Sequence, residues 1–212
     1  MSSSSTIIED IDAMRKAGLA SLAFFYYDFR EDKKKDLRGL LSSLLVQLCH
    51  QYDSYCNILS NFYSDHAKGL RSPREDALRR CLKDLLICPG LPPVYLITDA
   101  LDECPNPSAV RSPRAEVLHL IKKLIQSQIP NLRICVTSRP ETDIKDVLGR
   151  LAFRSVSLHD ENGQKRDIEG YIKWAINTLP KKGRWKAEDK KQVIDVFSKH
   201  ADGMYGVNTD FF

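Results

Sequence analysis

The chain has 212 residues, of which 42% are hydrophobic and 28% charged, with a formal net charge of +4. That length allows one sizeable domain, or one domain with a small helical annex, burying roughly 70% of the unfolded surface, and the composition excludes a disordered chain. No apolar stretch reaches the roughly 18 residues of a membrane span, and Met1 to Thr6 lack the basic and apolar blocks of a signal peptide, so a cytoplasmic address away from any membrane is expected.

The chain opens in an amphipathic helix, since Ile7, Ile8, Ile11 and Met14 repeat at helical spacing up to Gly18. Residues 22–27 are continuously apolar and aromatic, as in a strand buried on both faces, and the charged residues 30–36 end it. Leu37, Leu40, Leu41, Leu44, Leu45 and Leu48 then mark a helix with one strongly apolar face. A weaker helical pattern runs from Tyr55 to His66 and closes at Gly69. Ser72, Pro73 and Glu75 predict the capped start of the next helix, with Leu78, Cys81, Leu82, Leu85 and Leu86 inward and Pro89 and Gly90 ending it. Val94 to Thr98 reads as a strand. Ser112 and Pro113 open a helix that buries Val117, Leu120, Ile121, Leu124 and Ile125 and stops at Pro130. Leu132 to Thr137 predicts a third strand, and Phe153 to Leu158 a fourth. After Asp160 the pattern is helical, with Ile168, Tyr171, Ile172 and Ala175 on one stripe and Val193, Ile194 and Phe197 on another.

Short buried strands separated by helices imply a three-layer α/β fold around a parallel sheet. The expected organisation is a core over residues 1–160, followed by the start of a helical subdomain over 161–212. The six cysteines contain no C-x-x-C pair and read as reduced, mostly buried thiols. Basic runs at 33–35 and 181–186 lack the stripe or aromatic platform of a nucleic-acid surface and read as solvated loops. The histidines show no zinc spacing, and no G-x-S-x-G elbow is present.

The chemistry concentrates where the second strand ends, at Asp99, Asp102 and Glu103. Ligands of open parallel sheets bind beyond the carboxyl ends of the strands. Asp99, one residue past its strand, is placed to hold a magnesium ion directly or through water. Asp102 and Glu103 are within reach of an attacking water as base and electrostatic partner. Three acids at a strand-to-helix turn also serve simply to cap the following helix. The third strand adds Thr137, Ser138, Arg139 and Pro140 at the same sheet edge, where Arg139 could meet a terminal phosphate. No G-x-x-x-x-G-K-[ST] phosphate loop occurs in the sequence.

The acidic strand 94–103, the strand end 135–141 and the run from Ala23 to Phe29 together resemble fungal NACHT domains. These are signal-transducing P-loop NTPases of the nephrocystin-3-like N-terminal class, often followed by ankyrin or WD repeats. The resemblance covers roughly residues 5–204. It implies a P-loop-type sheet, here without its first strand and loop. It assigns Asp99 as the Walker B magnesium aspartate, Asp102 and Glu103 as the catalytic acidic pair, and Arg139 as the nucleotide-sensing arginine. Magnesium and ATP or GTP are the cofactors it implies, bound weakly or not at all by this chain. In the family the first helix follows the phosphate loop directly, so residues 3–8 correspond to positions just downstream of it.

A loop that is absent supplies no cradle, and loss of one preorganised donor alone costs about 10² to 10³ in rate. The expected function is a truncated NACHT-type module that does not hydrolyse nucleotide alone and acts through protein partners, by self-association or by pairing with a full-length relative. Two alternatives stand beside it. One is a fragment of an active ATP- or GTP-hydrolysing switch whose loop lies outside these residues; the other is a metal-dependent phosphodiesterase-like enzyme using the acids alone. With a central strand missing, the isolated chain is expected to be marginally stable or aggregating.

Overall fold

Three short strands carry the architecture of the computed structural model, which describes residues 3–31, 34–107, 112–155 and Glu188. β1 (Ser21–Tyr26), β2 (Val94–Asp99) and β3 (Leu132–Val136) form a parallel sheet in that order. Ser21 lies opposite Val94, and Val94 opposite Leu132. Parallel neighbours require crossovers, because the chain must return to the same end of the sheet before the next strand begins. The first crossover holds α2 (Leu37–Cys49), α3 (Asp53–Asp65) and α4 (Glu75–Leu86), and the second holds α5 (Pro113–Gln126). α1 (Ser3–Lys16) precedes the sheet and α6 (Thr142–Leu148) follows it. Residues 3–153 belong to one compact unit.

Side chains alternate between the faces of a strand, and this splits the core in two. Ala23, Phe25, Val94 and Leu96 pack with residues of α2 to α6, among them Leu44, Tyr55, Leu82, Val117 and Ile144. Leu22 and Ile97, with the partly buried Phe24, Tyr95 and Cys135, face the opposite way and meet Ile8 and Ile11 of α1. The α/β expectation therefore holds, with helices on both faces of a three-stranded parallel sheet. The layers are unequal. α1 is the thinner one, and its apolar stripe is only half used, since Ile7 and Met14 remain exposed.

α2 forms as its leucine spacing dictates, with all six expected leucines buried. Asp36 caps it by accepting from the Gly39 N–H at 2.7 Å. Two other expectations need correction. α4 starts at Glu75 with no side-chain cap. Ser72 is instead engaged by Arg38 of α2, whose guanidinium donates to the Ser72 hydroxyl at 2.6 Å and to the Pro73 carbonyl at 2.9 Å. The proposed fourth strand is not present at Phe153 to Ser155. The backbone just before it is still closing the turn after α6, with the Leu151 and Ala152 N–H groups donating to the Leu148 carbonyl, and Phe153 is fully exposed. The rest of that strand and the helical subdomain 161–212 lie outside the described residues, apart from Glu188.

The two edges of the sheet differ. At the outer edge of β1, the Leu22 N–H donates to the Gln51 carboxamide oxygen at 3.0 Å, and the Gln51 amide nitrogen donates back to the Leu22 carbonyl at 2.5 Å. Gln47 does the same for Phe24, at 3.0 and 2.7 Å. Two side-chain amides thus stand where a neighbouring strand would. At β3, the bonds from Val94 to Asn131 and from Thr137 to Thr98 show that odd-numbered residues turn their main chain toward β2. The main-chain groups of Ile134 and Val136 therefore face outward, and among the described residues no strand pairs with them. Replacing Gln51 with Leu keeps the bulk but removes the amide. We expect this to lower the unfolding free energy by about 1–3 kcal/mol, read as a lower urea midpoint at unchanged slope. An unchanged midpoint would reject the strand-mimic role.

Candidate functional site

β2 delivers Asp99 to the carboxyl edge of the sheet, and the chain then turns sharply through Ala100, whose φ of 55° and ψ of 46° are left-handed. For a residue with a Cβ this conformation costs roughly 1–2 kcal/mol, so neighbouring contacts must hold it. Thr137, just beyond β3, does so. Its hydroxyl donates to the Asp99 carboxylate and accepts from the Ala100 N–H at 3.2 Å. Its carbonyl accepts from the Leu101 N–H at 3.0 Å, and its own N–H donates to the Thr98 carbonyl at 2.9 Å. The chain continues as a single 3-10 turn, Leu101–Glu103, anchored by the buried Leu101.

The acids and the arginine singled out from the sequence all lie at this edge. Asp102 and Arg139 meet directly. One Asp102 carboxylate oxygen accepts from the Arg139 N–H at 2.9 Å, and the other lies 3.5 Å from Arg139 Nε. The Asp102 side chain is 10% exposed and that of Arg139 63%, so the carboxylate is enclosed and the guanidinium reaches into solvent. Glu103 lies near Arg30, whose guanidinium is held charged chiefly by its bonds to Asp28 and more weakly by the Glu103 charge. Asp99 makes its field felt on two neighbours. Burial and then the Asp99 charge push the Tyr26 phenol and the Cys135 thiol upward. The Ser5 hydroxyl bonds to Tyr26 and opposes that shift, which brings the N-terminal turn of α1 beside the acidic strand end.

Sequence reasoning missed the residue that fastens the acidic turn. Arg114 is 8% exposed, and its guanidinium donates to the Asp102 carbonyl at 2.5 Å and the Cys104 carbonyl at 2.9 Å. It also pairs with Asp143 of α6 at 3.3 Å. The signal was available, because Arg114 leads the stripe Val117, Leu118 and Ile121, where an apolar residue belongs. A cleft of about 640 Å³ is lined by Phe24, Tyr26, Lys34, Arg38, Ser42 and Gln47 among others, and none of the three acids borders it.

The family model described as nephrocystin 3, N-terminal, matches residues 2–139. The chain belongs to the nephrocystin-3 N-terminal family. The matched span runs from α1 through β3 to Arg139 and so takes in the whole acidic edge. The chain is also similar to the vegetative incompatibility protein HET-E-1 of Podospora anserina, with 26% identity over 205 residues. That alignment covers 94% of this chain but 14% of the relative's length. No solved structure matches. Family and relative agree with the NACHT-like domain that the sequence motifs imply.

Two outcomes follow for this member of the nephrocystin-3 N-terminal family. Arg114→Ala leaves two carbonyls without this donor and Asp143 with the Asn106 amide but no cation, so we expect a loss of about 2–4 kcal/mol in denaturant unfolding. Arg114→Lys should recover less than half of it, because one ammonium cannot span three acceptors. The second concerns alkaline pH. Burial pushes the Cys104 thiol up to about 12 and the Cys81 thiol up to about 11, against an ordinary value of 9.0. The folded chain therefore holds these protons more tightly than the unfolded chain. Their contribution to stability is complete below the unfolded thiol pKa and declines as pH rises from there toward the folded values. Denaturant midpoints should fall progressively above about pH 9, less steeply in Cys104→Ala; a flat profile would contradict this.

Proposed function

We propose that residues 94–103 and Arg139 form the acidic and sensing half of a nucleotide-hydrolysing site in a NACHT-type signalling domain. Asp99 is the magnesium ligand, Asp102 and Glu103 are the groups that orient and deprotonate water, and Arg139 is the sensor of the terminal phosphate. The observation that supports this reading is the meeting of Asp102 and Arg139, from the segments that follow two adjacent strands, at the carboxyl edge of a parallel sheet beside Asp99. The Ser5 contact with Tyr26 adds to it, since it sets the start of α1 where a phosphate loop leading into that helix would arrive.

The donor set fits a hard cation. Asp99 offers a carboxylate at a strand end, and a magnesium ion held there would complete its shell with water and phosphate oxygens; among the described residues no group of three or more His, Cys, Asp or Glu is assembled. The same set does not by itself fit a triphosphate. The strand end carries three acids, Arg139 is engaged with Asp102, and the 212 residues contain no G-x-x-x-x-G-K-[ST]. When bound, magnesium and nucleotide supply the phosphoryl group and its charge neutralisation; the chain supplies a ligand, a water-orienting acid and a charge sensor.

The chain alone is then a cytoplasmic interaction module rather than an enzyme. Its partner, a second copy or a longer relative, adds a strand at the open edge of β3, and without one that edge leaves the chain prone to aggregation. Phosphate release and melting with magnesium and ATP or GTP test this. The chain should show no turnover and no melting shift, whereas the chain extended ahead of Ser3 by a strand and a G-x-x-x-x-G-K-S loop should gain magnesium-dependent binding that Asp99→Ala removes. Turnover by the unextended chain that disappears in Glu103→Ala would refute the half-site reading. Binding by the extended chain that ignores Asp99→Ala would refute the metal role.

A further inference from the structure

Two thiols meet at the joint between α2 and α3, away from the acidic edge. Cys49 is the last residue of α2, and Cys56 lies in the first turn of α3. Their sulfurs are 3.5 Å apart, and the Cys56 thiol also donates to the Cys49 carbonyl at 2.8 Å. Both are half-buried, within reach of a small oxidant, while Cys81 and Cys104 are buried. To bond, the sulfurs must approach by a further ~1.5 Å, to the bonded distance of about 2.05 Å. The connection between the two cysteines contains Gln51, whose carboxamide closes the β1 edge at Leu22.

We propose that Cys49 and Cys56 form a reversible redox site whose oxidised state is an intrachain disulfide fastening the α2–α3 joint and, with it, the Gln51 latch on β1. Hydrogen peroxide is the oxidant. One thiolate attacks a peroxide oxygen, the O–O bond breaks, and the product is a sulfenic acid and one water once the thiol proton is counted. The second sulfur then attacks the sulfenic sulfur and expels the hydroxyl as a second water. Two S–H groups and one peroxide thus become one S–S bond and two waters, with the sulfurs losing two electrons and the peroxide gaining them. Disulfides of intracellular proteins are typically of this transient, sensing kind. Burial and the neighbouring Cys56 sulfur hold the Cys49 thiol above its ordinary value, so the thiolate fraction is small at neutral pH and oxidation accelerates as pH rises.

The test uses the whole chain with dilute hydrogen peroxide. Titratable thiols should fall from six to four, and the tryptic peptide spanning residues 39–68 should be two hydrogens lighter. The melting temperature should rise by about 5 °C and return after dithiothreitol. Cys56→Ser should lose none of its five remaining thiols, whereas Cys88→Ser should still lose two. Disulfide-linked dimers as the main product, or thiol loss that persists in Cys56→Ser, would overturn the proposal. A cross-link that forms without moving the melting temperature would also overturn it, since it would show that the joint is not fastened.

Discussion

Main-chain N–H and C=O groups beside an apolar core must find partners, and a small open sheet has two edges at which to fail. This chain meets the demand differently on its two sides. At β1, the carboxamides of Gln47 and Gln51 satisfy Leu22 and Phe24 from outside the sheet. That requirement fixes how α2 lies along the strand, and the fixed orientation turns all six of its leucines into the core shared with α3, α4 and α5. At β3 no such device exists among the described residues, and Ile134 and Val136 present their main chain outward. Among the described residues, the sheet is thus closed at the β1 edge by two glutamines and unpaired at the β3 edge.

The acidic edge shows a related economy. A strained, left-handed Ala100 turns the chain after Asp99, and Thr137 braces it from the neighbouring strand. Arg114 then gathers the carbonyls of Asp102 and Cys104 and ties them to α6 through Asp143. Residues from β2, β3, α5 and α6 thus fix a turn of three residues. Such bracing suits a group that must be presented at a set position, and it also explains why the carboxylate of Asp102 is enclosed while its arginine partner reaches outward.

Much of this was legible in the sequence where the signal was periodic. The leucine spacing of α2, the stripes of α4 and α5 and the apolar runs of all three strands each appear where local patterning placed them. The site was legible as a juxtaposition, because strand ends in a parallel sheet share an edge and Asp99, Asp102, Glu103 and Arg139 follow strand ends. What sequence could not supply were bonds between side chain and distant backbone. Gln47 and Gln51 carry no periodic signal, and their role shows only when β1 is laid beside them. Ser72 looks like a helix cap until Arg38 takes its hydroxyl. Phe153 to Ser155 alternate like a strand, yet they follow directly on the turn that closes α6. In each case local chemistry was compatible with the expectation, and a contact tens of residues away, or the geometry of the preceding element, decided otherwise.

The glutamine latch also has a kinetic side. Joining Gln51 to Leu22 closes a loop of 29 residues, whereas pairing β1 with β2 must bring Val94 back to Ser21. Loop-closure entropy grows with the logarithm of length, so the shorter loop is favoured by about 0.8 kcal/mol. β1 and α2 can therefore dock while the rest of the first crossover is still unformed, with the outer edge of β1 already shielded. When β2 arrives, it finds one side of β1 occupied and one side free, so it has only one place to pair. The same amides that complete the edge in the finished fold thus leave a single edge of β1 for β2 to join during assembly.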